Sequence, residues 1–303
     1  MECLAPICVP NPKVSVYSPS PYLYVPCGKC EACVDRKRSA WFARFKQEVR
    51  NSQSAYFITF TYSDEYVDGH YDFDGLKLDV CKEHIQKFHR RLRKAIKKRN
   101  EVIKKREGLT WKEFRDRYPE LYRFRYYLTA EYGPNGIPNR PHYHACYFDF
   151  PPDYIDLIQK EWFEGFVKIS EVNDNRLRYL AGYEINKLFT PDGCERVFNL
   201  CSKGLGLSYI TDAIVEYHQA DPENRRFVSI DGQRLTMSRY YVDKIFSARD
   251  KFEYANAHSE KAFQVEQKRI QKFGIDEVER QNHEIRAGFV RRIRKTYKQH
   301  SKL

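Results

Sequence analysis

Apolar residues recur along the chain with two different periods, and these periods predict a mixture of helices and strands. Spacings of three and four residues predict helices over about 34–50, 80–106, 153–163 and 173–188, and a long polar helical stretch over about 255–299. Runs of β-branched and aromatic residues predict strands over 55–61, 123–131, 141–150 and 165–169.

The segments between these elements predict the connections and the fold class. Turn residues at 133–136 join two neighbouring strands into a hairpin, and Asp231-Gly232 marks a second hairpin. Residues 1–26 predict an extended, loosely ordered arm, and residues 63–75 predict an acidic loop. The irregular alternation of strands and helices is typical of an α+β fold, an antiparallel sheet with helices packed on it. We expect a Cys-rich arm with a basic helix over 1–50, a core over 51–190 and a C-terminal hairpin with a basic helical region over 191–303.

Composition narrows the functional class. The 303 residues carry a formal net charge of +12, and 15% of them are aromatic, which excludes a mainly disordered chain. The mean hydropathy is −0.73, and no apolar run approaches the 18 or so residues of a membrane span, so we expect no membrane association. The N-terminus lacks the basic and apolar segments of a secretory signal. Positive charge and aromatic faces together favour a nucleic-acid partner over a basic enzyme with a solvated surface.

Five of the nine cysteines lie within the first 33 residues, and their odd number argues against a secreted disulfide framework. Cys27, Cys30 and Cys33 have a C-x2-C-x2-C spacing, at which thiolates can converge on one tetrahedral Zn²⁺. Cys8, with Cys3 as the alternative, supplies the fourth ligand of this structural zinc site. Reduced structural thiols and part of an iron–sulfur ligand set are the other interpretations.

A second candidate metal site lies on the predicted hairpin. Residues i and i+2 of a strand point to one face, so His142 and His144 present two imidazoles side by side. The preceding strand ends at Glu131, which the hairpin brings alongside them. Two imidazoles and one carboxylate suit Mn²⁺ or Mg²⁺ and leave positions open for a substrate phosphate. The alternative is a pair of histidines on a polar sheet face.

A helix that follows the hairpin carries candidate nucleophiles. Tyr179, Tyr183 and Lys187 are spaced i, i+4 and i+8, so they share one face of the helix over 173–188. A tyrosine hydroxyl is a weak nucleophile near pH 7, and a nearby ammonium or a polarised phosphate would favour its attack. Packing or surface roles are the alternative for any single one of the 23 tyrosines.

The helix predicted over 80–106 is strongly basic, and its charges are candidates for phosphate contacts. The residues that we assign to DNA binding are Arg90, Arg93, Lys94 and Lys97 on this helix and Arg140 before the histidine pair. A solvated helix face is the alternative interpretation.

These motifs together resemble a known family. The strand over 57–61, His142-Tyr-His144 and the tyrosine helix are similar to the three motifs of HUH endonucleases, the rolling-circle replication initiators. The resemblance is closest to the replication initiation proteins of gokushovirus-type microviruses, small single-stranded DNA phages, and covers about residues 3–245. The segments that carry it are Val25-Pro-Cys-Gly-Lys-Cys30-x2-Cys33 followed by Trp41, Arg140-Pro-His-Tyr-His144, and the Gly-Leu-Gly206 loop.

The resemblance implies a ferredoxin-like antiparallel sheet, with the histidine pair on a central strand, as an HUH nuclease core. It implies a tyrosine that nicks origin DNA, remains on the 5′-phosphate and frees a 3′-OH, while a second tyrosine serves the terminating transfer. Host DNA polymerase and helicase are the implied partners, in the host bacterial cytoplasm. Related initiators often carry Lys just before the second tyrosine, where this chain has Gly182, so the order of Tyr179 and Tyr183 and the role of Lys187 stay open.

Two other functions compete with a nicking initiator. A relaxase or transposase of the same fold class is one, although mobilisation relaxases often have a third histidine in the metal motif, and the chain has no P-loop. The other is a zinc-knuckle protein that binds single-stranded DNA without catalysis, for which the tyrosine face would be dispensable.

Overall fold

The computed structural model describes residues 2–11, 20–73, 75–121, 123–133, 140–186 and 190–300. The strands are β1 (Ile7–Pro10), β2 (Tyr22–Val25), β3 (Ala55–Tyr62), β4 (Gly69–Asp72), β5 (Gly75–Leu78), β6 (Arg125–Tyr132), β7 (Pro141–Phe148), β8 (Gly165–Glu171), β9 (Asn199–Cys201), β10 (Phe227–Ile230) and β11 (Gln233–Thr236). The α-helices are α1 (Glu31–Arg50), α2 (Lys82–Arg106), α3 (Trp111–Arg117), α4 (Asp156–Glu161), α5 (Asp174–Asn186), α6 (Asp212–Gln219), α7 (Arg239–Ile245), α8 (Ala248–Phe273) and α9 (Ile275–His300). The protein is therefore α+β, as the sequence predicts.

The main sheet has five strands in the order β8-β3-β7-β6-β9. All neighbouring strands in it are antiparallel. Strand β7, which carries the histidine pair, is the middle strand of the five. The predicted hairpin is present, because β6 pairs with β7 so that Glu131 lies opposite His142 and Thr129 opposite His144.

One face of this sheet is packed by α2 and α4 around the main hydrophobic core. Phe88 and Leu92 of α2 are fully buried there against Phe60 of β3 and Tyr143 of β7. Burial of each large apolar side chain stabilises the fold by about 1.5–3 kcal/mol, so this stripe fixes the sheet to α2. The long basic helix therefore owes its position to its apolar face.

The opposite face of the sheet carries the histidine pair. Strand alternation places Thr59 of β3, His144 of β7 and Glu131 of β6 on this side. Helix α5 covers part of the same face, with Leu177 and Leu180 buried. The candidate site therefore lies between the sheet and α5.

The chain divides into two compact units within α1. One unit joins Met1–Arg44 with Ser208–Tyr297, and the other is built around Phe45–Leu207. In the first unit, the backbone N–H of Tyr24 in β2 donates to the Ser259 hydroxyl of α8 at 2.8 Å, which ties the N-terminal arm to the C-terminal helices. The N-terminal and C-terminal segments, which the sequence separates by the whole sheet, thus share one unit.

Three local predictions from the sequence need correction. The acidic segment predicted as a loop contains the hairpin of β4 and β5. The arm predicted to be loosely ordered contains paired strands β1 and β2. The long C-terminal helical stretch is two helices separated at Gly274, whose φ of +82° favours glycine and ends α8. Among the described residues, no helix is long and apolar enough to cross a membrane.

Candidate functional site

The structure brings together the three residues predicted as metal ligands. Glu131 Oε2 lies 3.2 Å from His142 Nε2 and 3.3 Å from His144 Nε2. Glu131 and His144 are buried, and His142 is half-buried, so the cluster opens toward solvent on the His142 side. Two imidazole nitrogens and one carboxylate oxygen therefore converge on one point of the sheet surface.

Hydrogen bonds on the far side of each ring fix the two imidazoles. His142 Nδ1 lies 3.3 Å from the carbonyl oxygen of Arg140 and, because a carbonyl can only accept, this nitrogen is the donor. His142 Nε2 then directs its lone pair toward the Glu131 carboxylate, an arrangement that a cation stabilises. The Nδ1 atom of His144 lies 3.0 Å from the Thr59 hydroxyl. Burial lowers the pKa of His144, which favours the neutral, metal-binding form of the ring.

Thr59 is a contact that the sequence analysis missed. It lies on β3 directly opposite His144, and its hydroxyl orients the imidazole. The signal was present in Thr59-Phe-Thr61, where threonines at i and i+2 of a buried strand place two hydroxyls on one face. Recognition of the contact also requires the register between β3 and β7, which connects residues 85 positions apart.

Tyr179 reaches the same cluster from α5. Its hydroxyl donates a hydrogen bond of 3.2 Å to Glu131 Oε2, the oxygen that both histidines face. Its ring lies edge-on to His144, with 5.3 Å between centroids, and near Phe57 at 6.4 Å. The side chain is still 49% exposed, so a polymeric substrate can approach the hydroxyl.

The other two residues predicted on the tyrosine face are only partly described. Tyr183 lies in α5, one helical turn after Tyr179, but its side chain lies outside the described part of the chain. Lys187 lies outside the described residues altogether.

The basic residues predicted to bind DNA fall into two groups. Arg90, Arg93, Lys94 and Lys97 are exposed on α2, across the sheet from the histidines. Arg93 and Lys97 contribute to a cavity of about 440 Å³ that is also lined by Trp111 and Phe124. Arg140 instead donates to Asp64 Oδ1 at 2.6 Å and to the Tyr62 carbonyl at 2.7 Å, beside the metal cluster. Its charge is thus partly neutralised within the protein.

The cysteine prediction requires one correction. Cys27, Cys30 and Cys33 do lie together, but the fourth sulfur beside them belongs to Cys3 and not to Cys8. Cys8 is exposed on β1, where it pairs with Tyr24 in the strand register. The arm brings Cys3 inward because the two-stranded hairpin of β1 and β2 folds its start back against Cys27, whose backbone N–H donates to the Cys3 sulfur at 3.3 Å.

Comparisons with known proteins agree with this geometry. A family model of replication-associated proteins of the ORF2 type matches residues 55–188. The chain is 28% identical over 248 residues to replication-associated protein ORF2 of Spiroplasma virus 4, covering 74% of this chain and 67% of the relative. It is 24% identical over 238 residues to replication-associated protein VP4 of Bdellovibrio phage phiMH2K, covering 72% and 66%.

The chain spans about two thirds of the length of these curated relatives. No solved structure matches the chain, so the ferredoxin-like assignment of the sheet stays a prediction. The matched region begins with β3 and ends after α5, and it contains the sheet strands that carry the histidines, Glu131 and Thr59. The resemblance to phage replication initiators is confirmed: residues 55–188, which carry the site, belong to the ORF2-type family of replication-associated proteins.

Proposed function

We propose that the protein initiates replication by nicking single-stranded DNA and later rejoining it, with Tyr179 as the first nucleophile. The observation that carries the proposal is the position of the Tyr179 hydroxyl, 3.2 Å from the Glu131 oxygen that both imidazoles face. A nucleophile must lie within reach of the group that holds the scissile phosphate. Tyr179 satisfies this requirement without rearrangement of the sheet.

The donor set suits a divalent ion, Mg²⁺ or Mn²⁺. Glu131, His142 and His144 would hold it, and Thr59 and the Arg140 carbonyl would orient the two rings. When bound, the ion would polarise the scissile phosphate and hold it in place. Three protein ligands leave coordination positions for phosphate oxygens, as a catalytic site requires.

The proposed reaction is a transesterification in which Tyr179 provides the attacking oxygen. The hydroxyl attacks phosphorus, the bond between phosphorus and the 3′-oxygen breaks, and the tyrosine remains linked to the 5′-phosphate. The hydroxyl loses a proton, for which Glu131 Oε2 is the hydrogen-bond acceptor in place, and the departing 3′-oxygen gains one to become a 3′-OH. The phosphodiester energy is kept in the phosphotyrosine, so a second hydroxyl can reverse the linkage.

Tyr183 is the proposed acceptor for the terminating transfer. It follows Tyr179 by four residues in α5, so the two positions lie on one face of the helix. The family resemblance supports a role of this kind, with the free 3′-OH extended by a host polymerase, a host helicase opening the duplex and the reaction taking place in the bacterial cytoplasm. A relaxase-like nuclease would share the first step and differ in the second.

The test needs no knowledge of the origin sequence. The protein is incubated with a random pool of single-stranded DNA and Mn²⁺ or Mg²⁺, denatured, and separated from unlinked DNA; the DNA released by protease is then sequenced. Wild type should give a covalent adduct with a shared end sequence. Tyr179→Phe and His142→Ala should abolish the adduct, and Tyr183→Phe should retain it but fail to rejoin strands.

Tyr217→Phe is the matched control, since Tyr217 is a comparably exposed tyrosine, at 43%, on α6. It should behave as wild type. An adduct that persists in Tyr179→Phe would refute the assignment of the first nucleophile. Folded wild-type protein that binds the pool but forms no adduct with either metal would refute the nuclease and leave a non-catalytic single-strand binder.

A further inference from the structure

The N-terminal unit contains a cluster of four cysteines that the proposed nicking reaction does not use. The sulfur atoms of Cys3, Cys27, Cys30 and Cys33 all lie within 4.8 Å of one another. Cys30 and Cys33 are buried, and the other two are half-buried. We propose that these four thiolates bind one structural Zn²⁺ that fixes the N-terminal arm to the start of α1.

The spacing of the sulfur atoms supports a single ion. A tetrahedral zinc with Zn–S bonds of about 2.3 Å holds its sulfurs about 3.8 Å apart. Cys3 Sγ and Cys30 Sγ are 3.9 Å apart, which fits that geometry. A disulfide needs about 2.05 Å. An iron–sulfur cluster places several metal and sulfide atoms between its ligands and holds them further apart than this cluster allows.

The backbone around the cysteines is arranged to support thiolates. The N–H of Cys27 donates to the Cys3 sulfur, and the N–H of Cys30 donates to the Cys27 sulfur, both at 3.3 Å. Gly28, between Cys27 and Cys30, has a φ of +73°, which permits the tight turn that both bonds need. N–H groups directed at sulfur stabilise negative charge there.

The start of α1 adds to this effect. Cys30 immediately precedes the helix, its carbonyl accepts the first helical hydrogen bond from Val34, and Cys33 lies in the first turn. The N-terminal end of a helix carries partial positive charge, which stabilises anions placed beside it. The two buried sulfurs therefore occupy the position in the unit that best tolerates thiolates.

Packing around the cluster indicates why an ion is needed. Among the described residues, the buried members of this hydrophobic cluster are Cys30, Ala32 and Cys33, with Ile285 of α9 packed against them. So small an apolar set contributes little to stability, whereas a structural zinc contributes its binding energy directly to folding. Arg286, next to Ile285, donates to the carbonyl oxygens of Ala5 and Pro6, so the same ion also supports the contact between the arm and α9.

The proposal is tested on the full chain, purified without an affinity tag and dialysed against a weak chelator. Elemental analysis should find about one zinc per chain. Replacement by Co²⁺ should give the intense visible bands of a tetrahedral ion and a thiolate-to-cobalt charge-transfer band, which the Glu131 and histidine site cannot produce because it contains no sulfur.

Cys3→Ser should lose the charge-transfer band, and Cys8→Ser is the matched control that should keep it, because Cys8 lies five residues away and is exposed. Should Cys3→Ser fail to fold, titration of the wild type with an organomercurial supplies the same answer, since four thiols should react for each zinc released. Iron in place of zinc, absence of retained metal in folded wild type, or loss of the band in Cys8→Ser would each overturn the proposal.

Discussion

A histidine buried beneath the sheet makes the stability of the protein depend on pH. His89 of α2 is 3% exposed, its Nε2 lies 2.7 Å from the Tyr147 hydroxyl, and its ring lies 4.1 Å from that of Tyr126. Burial, together with the nearby charge of Arg93, lowers its pKa to about 3. The folded state thus holds a neutral imidazole, whereas the unfolded chain binds a proton near pH 6.5.

The magnitude follows from the two pKa values. Because the folded pKa is lowered, the contribution of His89 to stability is complete above about pH 6.5 and is lost as the pH falls from there toward about 3. Each pH unit within that window costs about 1.4 kcal/mol. Between pH 7.5 and pH 4.5 the predicted loss of unfolding free energy from this residue alone is about 2.7 kcal/mol.

The assay is urea unfolding of wild type and His89→Gln at both pH values. Other titrating groups contribute equally to both proteins, so the acid-induced loss should be smaller in the variant by about 2.7 kcal/mol. His283→Gln, at an exposed histidine of α9, is the matched control and should lose as much as wild type. Equal acid losses in wild type and His89→Gln would show that His89 does not stay neutral in the fold.

Three further changes have defined outcomes. Leu92→Ala should lower the unfolding free energy by about 2–5 kcal/mol in urea titration, since Leu92 is fully buried against the sheet, and a loss below about 1 kcal/mol would contradict that packing. Arg125→Met should cost about 3–5 kcal/mol by the same measurement, because Arg125 Nε lies 2.6 Å from the fully buried Glu48, and Arg125→Lys should cost less. Replacing Arg93 and Lys97 by Ala should reduce the salt dependence of single-strand binding, measured by fluorescence anisotropy, by about 1.4 in log–log slope, and an unchanged slope would exclude both from phosphate contact.

Much of the sheet could be predicted because its signals are local. Strands β6 and β7 are adjacent in sequence, so alternation and the intervening turn residues were enough to bring Glu131 beside the histidines. The helices α1, α2 and α5 follow from apolar spacing within a single segment. Helix α3 was missed although Thr110 and Glu113 form a capping box, a short signal that marks a helix start without the long apolar pattern of α2.

The contacts that could not be predicted are those between distant segments. Thr59 orients His144 only because β3 pairs with β7 in one particular register, and a shift of one residue would turn its hydroxyl to the other face. Cys3 rather than Cys8 joins the cysteine cluster because the hairpin of β1 and β2 directs one inward and leaves the other exposed. Spacing along the chain contains neither choice.

The tyrosine pair shows why distance adds to what sequence spacing provides. On a helix, positions 179 and 183 share a face, so the pattern alone gives them equal claims to the first attack. Only one step of the reaction needs a hydroxyl already beside the metal-binding carboxylate, and the Tyr179 hydroxyl is there. The histidines are held rigidly by the middle strand of the sheet, while Tyr179 extends from a helix and keeps half its surface exposed. This arrangement suits a reaction in which the phosphate must be fixed but the covalently attached strand must be able to leave the surface and return.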